Sequence, residues 1–313
     1  MWSNTTRESK KFLKITKSKI IAVSLSNPIC LLFTMIEKIA KNLVELKQEF
    51  SNVYKGNSHI QEVMPLSKSD SFPIEDYHME MLHSFAEKNP IYYNSYEETI
   101  GNIPCRIYEG DINQYWLNSI SHGSSYQPFY PTWVLSAYII SLVAKNLGYT
   151  EVLDIGSGDG RIAYCAKILG LQTYSIEVEE SLVDLQKLIT FASKIDFNPI
   201  CADAVEFDYS DQNLMHPIFF IGGLAQMGGD ILASNIIEKL VSNTDLKKNT
   251  GMTFAGTYSK KYFPGTQSEN MSEGGWKSII EKNDLKVVKT ITLPTVWTFD
   301  QPIDTPYIFT KFN

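Results

Sequence analysis

The sequence predicts an α/β fold: a doubly wound, mostly parallel seven-strand sheet with an antiparallel C-terminal hairpin, plus an N-terminal helical extension. Three observations predict it. From residue 132 onward, short apolar runs alternate with amphipathic stretches, the rhythm of a parallel sheet with helices on both faces. The glycine-rich "DIGSGDG" at 154–160 lies between the first of these runs and the helix after it, the place where such sheets bind ligands. The last two apolar runs have no helix between them, so that pair must be antiparallel.

The elements follow in chain order. Residues 1–20 carry Arg7, Lys10, Lys11, Lys14, Lys17 and Lys19 against one acid, Glu8, and read as a solvated tail, with an anionic partner or membrane surface as the alternative. "IIAVSLSNPICLLFTMI" at 20–36 is apolar but holds Ser24, Ser26, Asn27 and Pro28, and no small-residue cleavage pattern follows. Core helices broken at Pro28 are expected there, not a membrane anchor. Apolar residues at helical intervals predict amphipathic helices over 32–50 and 75–88, the second ending at Asn89-Pro90. The segment 90–120 has only short strand-like pieces such as "CRIY". Residues 1–120 are therefore expected to form a helical accessory region, and 121–313 the sheet domain.

In the sheet domain, "TWVLSAYIISLVAKNLG" (132–148) is an apolar helix and "EVLDI" (151–155) a buried strand. Helices over 161–169, 180–194, 230–242 and 275–283 alternate with strands over 172–177, 198–203, 218–222 and 252–257; 286–293 and 306–312 form the terminal hairpin.

Composition narrows the function classes. A net charge of −7 does not favour adhesion to nucleic acid. Cys30, Cys105, Cys165 and Cys201 show no paired spacing, which fits a reducing, cytoplasmic setting. Of five histidines only His78 and His83 are close, at a spacing that does not share one helix face, so no metal site is expected.

Gly156, Gly158 and Gly160 carry the chemistry. One glycine serves a tight turn; three at alternate positions imply that a ligand approaches the backbone. The helix starting near Arg161 points free N–H groups at the same place, which suits a carboxylate or phosphate. On this reading Gly158→Val blocks a ligand while the fold still forms. The spacing is not the G-x-G-x-x-G of dinucleotide sites, and no Tyr-x-x-x-Lys pair is placed for hydride chemistry. Asp154 precedes the turn, Glu177 ends the second strand, and Asp203-Ala204 closes the third. Each acid has a plainer reading: a turn residue, a helix N-terminal cluster with Glu179 and Glu180, and a strand end.

Taken together, these residues resemble motif I and its partners in the class I S-adenosylmethionine-dependent methyltransferases, over roughly 121–313. The resemblance implies a sheet with an antiparallel final strand and a cofactor held by Asp154, Gly156, Ser157, Gly158, Gly160, Glu177, Asp203 and Ala204. Glu177 takes the ribose hydroxyls, Asp203 the adenine amino group, and the backbone at Ala204 the ring. The fourth-strand stretch "FFIGGLAQMGGD" (219–230) lacks the [Asn/Asp]-Pro-Pro-[Tyr/Phe] signature of enzymes that methylate base amines. Its Gly222, Gly223, Gly228 and Gly229 imply close backbone approach to a substrate or a lid, with a flexible loop as the alternative.

"HGSSYQPFYP" (122–131), with Tyr126, Phe129 and Tyr130, and "LPTVWTFDQPIDTPY" (293–307), with Trp297 and Phe299, are aromatic. They form either a channel for an alkylammonium group or plain core packing. "YQPFYP" and "TVWTF" resemble the loop and Trp-containing hairpin of seven-strand protein-lysine methyltransferases, which implies a protein lysine amine as acceptor and Tyr126, Tyr130, Gly222 and Trp297 as substrate contacts. A small-molecule or RNA acceptor, or a non-catalytic module keeping the fold, stays open, and the sequence names no catalytic residue.

Overall fold

The computed structural model describes residues 28–120, 128–242, 244–256, 275–300 and 304–313. The basic stretch 1–20, Tyr126 and part of the 20–36 apolar run lie outside the described residues.

The chain opens with helix α1 (Pro28–Val53), β1 (Ile60–Pro65), α2 (Asp76–Lys88), β2 (Tyr92–Ile100), β3 (Ile103–Gly110) and α3 (Asn113–Ile120). The strands form an antiparallel sheet in the order β1-β3-β2. This adds a sheet to the helices expected in this region. β1, "IQEVMP", is buried at all six positions although it carries Gln61 and Glu62, and β2 is buried at Ile100 alone. Neither shows the apolar alternation that marks a half-buried strand.

Helix α4 (Val134–Asn146) then leads into β4 (Glu151–Ile155), α5 (Arg161–Ile168), β5 (Gln172–Glu177), α6 (Glu180–Ser193), β6 (Pro199–Cys201), β7 (Pro217–Leu224), α7 (Gly229–Ser242), α8 (Thr244–Lys248) and β8 (Gly251–Ala255). Helix α9 (Lys277–Lys282) and strands β9 (Leu285–Leu293) and β10 (Thr305–Phe312) complete it. The seven strands stand in the order β6-β5-β4-β7-β8-β10-β9. Neighbours from β6 to β8 pair in parallel; β10 lies between β8 and β9 and runs against both. This is the mostly parallel sheet with one reversed strand that the motif resemblance implies.

Alternate residues feed two apolar layers. Val152, Phe220 and Phe309 pack with α1, α2 and α4 residues such as Leu43, Leu82 and Leu135, whereas Leu153, Phe219 and Phe254 pack with Ile236 of α7 and Ile280 of α9. The first layer runs from the N-terminal sheet into the main sheet without a break. Helix α4 shows how tertiary contacts replace local signals. Its N-cap, Trp133, makes no side-chain cap bond. Its first amide, Val134 N–H, instead donates to the Glu62 carboxylate of β1 at 2.7 Å, a charge well placed at a helix N-terminus. Burial of Leu135, Ile139, Ile140 and Val143, at about 1.5–3 kcal/mol each, outweighs any missing cap.

Candidate functional site

β4, β5 and β6 step to one side of the sheet and β7 to the other. A crevice therefore opens at the carboxyl ends of β4 and β7. A cavity occupies it, lined by Asp154, Gly156, Ser157, Gly158, Glu177, Asp203, Ala204, Tyr130, Gly222 and Trp297 among others. Ten of the expected contacts are thus brought together. Gly160 is not among the lining residues.

The three glycines have different jobs. All have positive φ, +66° at Gly156, +59° at Gly158 and +76° at Gly160, a region costly for other residues. A Cβ on Gly160 would meet the Phe197 ring at 2.4 Å, so this N-cap residue of α5 is small to admit Phe197. A Cβ on Gly158 would meet the Phe129 ring at 2.6 Å. Phe129, itself a lining residue of the cavity, thus occupies the space that a side chain on Gly158 would enter first. A Cβ on Gly156 would meet the Gly222 Cα of β7 at 3.7 Å, an ordinary contact distance, so of the three it is the one that a Cβ would not crowd. Gly222 in turn has the carbonyls of Ile155 and Gly156 at 2.5 Å from where its Cβ would lie. It is a glycine so that β7 can approach the end of β4, and the β7–β8 register shifts across it, between Ile221 and Leu224. The fourth-strand glycines thus belong in part to a bulge.

The acids take distinct positions. Asp154 is buried and accepts from Ala163 N–H at 3.3 Å. Burial pushes its carboxyl well above the usual range; the Ala163 bond opposes this, and the charges of Glu177 and Asp159 add to it. Glu177 accepts from the backbone N–H groups of Gly158 (2.9 Å), Val178 (2.9 Å) and Glu179 (3.1 Å). Burial raises its pKa and those three bonds hold it down. A carboxylate has about four acceptor positions, so Glu177 keeps capacity for a ligand. Asp203 is exposed and caps Val205 N–H at 2.8 Å in an Asx turn just beyond β6. Ser157 accepts from Gln186 Nε2 at 2.9 Å.

Sequence reasoning missed the residues that hold the turn. Gln186 of α6 also donates to the Gly158 carbonyl at 2.7 Å. Its signal was a polar residue in the apolar stripe Leu182, Val183, Leu185, Ile189. Asp159 and Arg161 form a buried ion pair at 2.5 Å, and Arg161 bonds Glu62 of β1 at 2.6 Å and the Thr132 carbonyl. Tyr92 donates to Glu62, and Asn89 Nδ2 donates to Asp159 at 2.8 Å. The N-terminal sheet thus grips the glycine turn through charge. Burial pushes Glu62 up and Arg161 opposes it.

At the mouth, Tyr130 and Trp297 pack with centroids 6.0 Å apart and planes tilted by 36°. Phe299, expected beside them, packs on Phe50 of α1 at 5.4 Å. The Tyr307 hydroxyl donates to Thr132 Oγ1 at 2.7 Å, which ties the hairpin to the segment before α4. His78 and His83 bond Tyr138 and Tyr108, and no cluster of three metal-ligating side chains occurs among the described residues. No helix among the described residues is long and apolar enough to cross a membrane.

No protein-family model and no curated protein matches the chain. Among solved structures it is similar to a magnesium protoporphyrin IX methyltransferase from Synechocystis PCC 6803 with bound SAM, at 13% identity over 57% of this chain and 78% of that one, with a TM-score of 0.39. It is also similar to a ribosomal protein L11 methylase from Lactobacillus delbrueckii subsp. bulgaricus (12% identity; 57% and 79% covered; TM-score 0.39). A third is a putative RNA methyltransferase from Pyrococcus horikoshii (13%; 57% and 82%; 0.39). Likeness at this level leaves reaction, cofactor and acceptor to be argued from the chain's own residues.

Proposed function

We propose that this chain is a methyltransferase that uses S-adenosylmethionine, with residues 121–313 as the catalytic unit and a protein lysine amine as acceptor. The observation that carries the reading is the convergence of Asp154, Glu177 and Asp203, from three adjacent strand ends, on one cavity that Gly156 also lines. The residues present fit the cofactor. Asp154 offers a carboxylate for its ammonium, Glu177 spare acceptor positions for ribose hydroxyls, and the exposed Asp203 with the buried Ala204 a cavity edge for the base.

When bound, the cofactor supplies an activated methyl group on a sulfonium. The protein's part is alignment and exclusion of water. Tyr130 and Trp297 give the mouth an aromatic wall that attracts an alkylammonium chain, and apolar surroundings lower an amine's pKa and so expose its lone pair.

Incubation of the protein with radiolabelled methyl donor and cell extract tests this, after separation into protein, RNA and metabolites. Label on protein lysine is expected; label confined to RNA or metabolites overturns the acceptor, and no label overturns the reaction. Two binding results are expected as well. Glu177→Ala weakens S-adenosylhomocysteine binding by about 1–3 kcal/mol; an unchanged Kd by calorimetry removes Glu177 from the site. Affinity also depends on pH. Free Asp154 holds its proton above the usual carboxylate range, and the ligand's ammonium favours its ionised form. Affinity should rise as pH climbs from about 4 through the raised pKa and then level off, and Asp154→Asn should flatten the curve.

A further inference from the structure

We propose that Lys47, on the N-terminal helix α1, is a positioning residue that holds the Trp297 wall of the acceptor mouth, separately from the contacts that hold the cofactor turn. The inference rests on the functional reading above for what the mouth receives, but not for the tether itself. Lys47 lies on the apolar face of α1 among Leu43, Leu46 and Phe50, with no exposed surface. Its ammonium donates to the Thr298 carbonyl at 3.0 Å and pairs with Asp304 at 3.1 Å. Asp304 also accepts from Thr298 Oγ1 at 3.0 Å, and Thr295 and Thr298 close a capping box around the single turn Val296–Thr298. Trp297 is the middle residue of that turn, and its ring lines the cavity against Tyr130.

A buried lysine is a poor way to fill a core, since an apolar side chain of similar volume avoids the desolvation of two charges. What an apolar residue cannot do is bind a main-chain carbonyl and a carboxylate six positions apart and so fix one loop conformation. The cofactor turn is held by a different set, Glu62, Asp159, Arg161 and Gln186. The two walls therefore have independent anchors, both supplied in part by residues before 120.

Acrylamide quenching of Trp297 tests this in the full chain, with Trp297→Phe as the subtraction control and S-adenosylhomocysteine affinity measured in parallel. Lys47→Met should raise the quenching constant of Trp297 by at least about twofold, as local opening of the loop requires. Affinity for S-adenosylhomocysteine should stay within about twofold, as for independent sites. Should Lys47→Met fail to fold, Lys47→Met combined with Asp304→Asn removes both charges and is read the same way. Unchanged quenching overturns the proposal, and so does a loss of affinity as large as the gain in quenching, which marks a general structural role. Failure of the wild-type chain to bind S-adenosylhomocysteine overturns the functional reading alone, because the quenching comparison needs no ligand.

Discussion

Arg161→Met is expected to lose about 3–5 kcal/mol of folding stability, the cost of leaving buried carboxylates without their cation. Arg161 is 2% exposed, and it answers Asp159 and Glu62, both fully buried. Its removal strands two acids, one on the glycine turn and one on β1, and frees the Thr132 carbonyl. Against a total stability of about 5–15 kcal/mol this is a large share. Urea unfolding measures it, as a lowered midpoint with an unchanged slope. A combined Arg161→Met, Asp159→Asn and Glu62→Gln variant should recover much of the loss, because no unpaired charge is then buried. A loss below about 1 kcal/mol, the range of exposed pairs, removes the network from its role as the fastening between the N-terminal sheet and the site.

The second large effect is on binding. Gly156→Val should lower S-adenosylhomocysteine affinity on the order of 100-fold, about 2.7 kcal/mol, because Gly156 lines the cavity and a Cβ there already touches Gly222 of β7, which leaves the added methyls to enter the cavity. The left-handed backbone adds about 1–2 kcal/mol of strain, so the variant is less stable but still folds. Gly158→Val is the contrast. There the new side chain meets Phe129, and the expected loss is stability, about 1–3 kcal/mol from overpacking on top of the same backbone strain. Calorimetric affinity and thermal unfolding of the two variants separate these roles. Equal affinity loss at both positions with equal stability contradicts the division drawn from the structure.

The contrast shows how far the sequence could be read. The α/β sheet was legible because its strands are continuous apolar runs, and "QTYSIE" at 172–177 coincides with β5. The glycine turn was legible as a turn, since three alternating glycines after a buried strand mark positive-φ backbone, which all three adopt. Which glycine makes room for a ring of the protein itself was not, because that depends on Phe129 and Phe197, rings brought in from elsewhere in the chain. The N-terminal sheet was hidden for a related reason. Glu62 and Gln61 look like surface residues in "IQEVMP", and Glu62 is held in the interior by Arg161, 99 positions away, together with Val134 N–H and the Tyr92 hydroxyl. Asn89 read as a helix stop, and it is the C-cap of α2. Its second task, bonding Asp159, has no local signature.

The bond from Lys47 to Thr298 spans 251 positions of sequence. At about 5–20 residues per second of synthesis, α1 leaves the ribosome some ten to fifty seconds before the hairpin that satisfies its ammonium exists. Through that interval the lysine stays hydrated, and α1 cannot seat fully on a sheet that still lacks β9 and β10. Dry closure of this side of the molecule is therefore among the last events of its birth, and a ribosome that stalls before residue 298 releases a chain with an open seam.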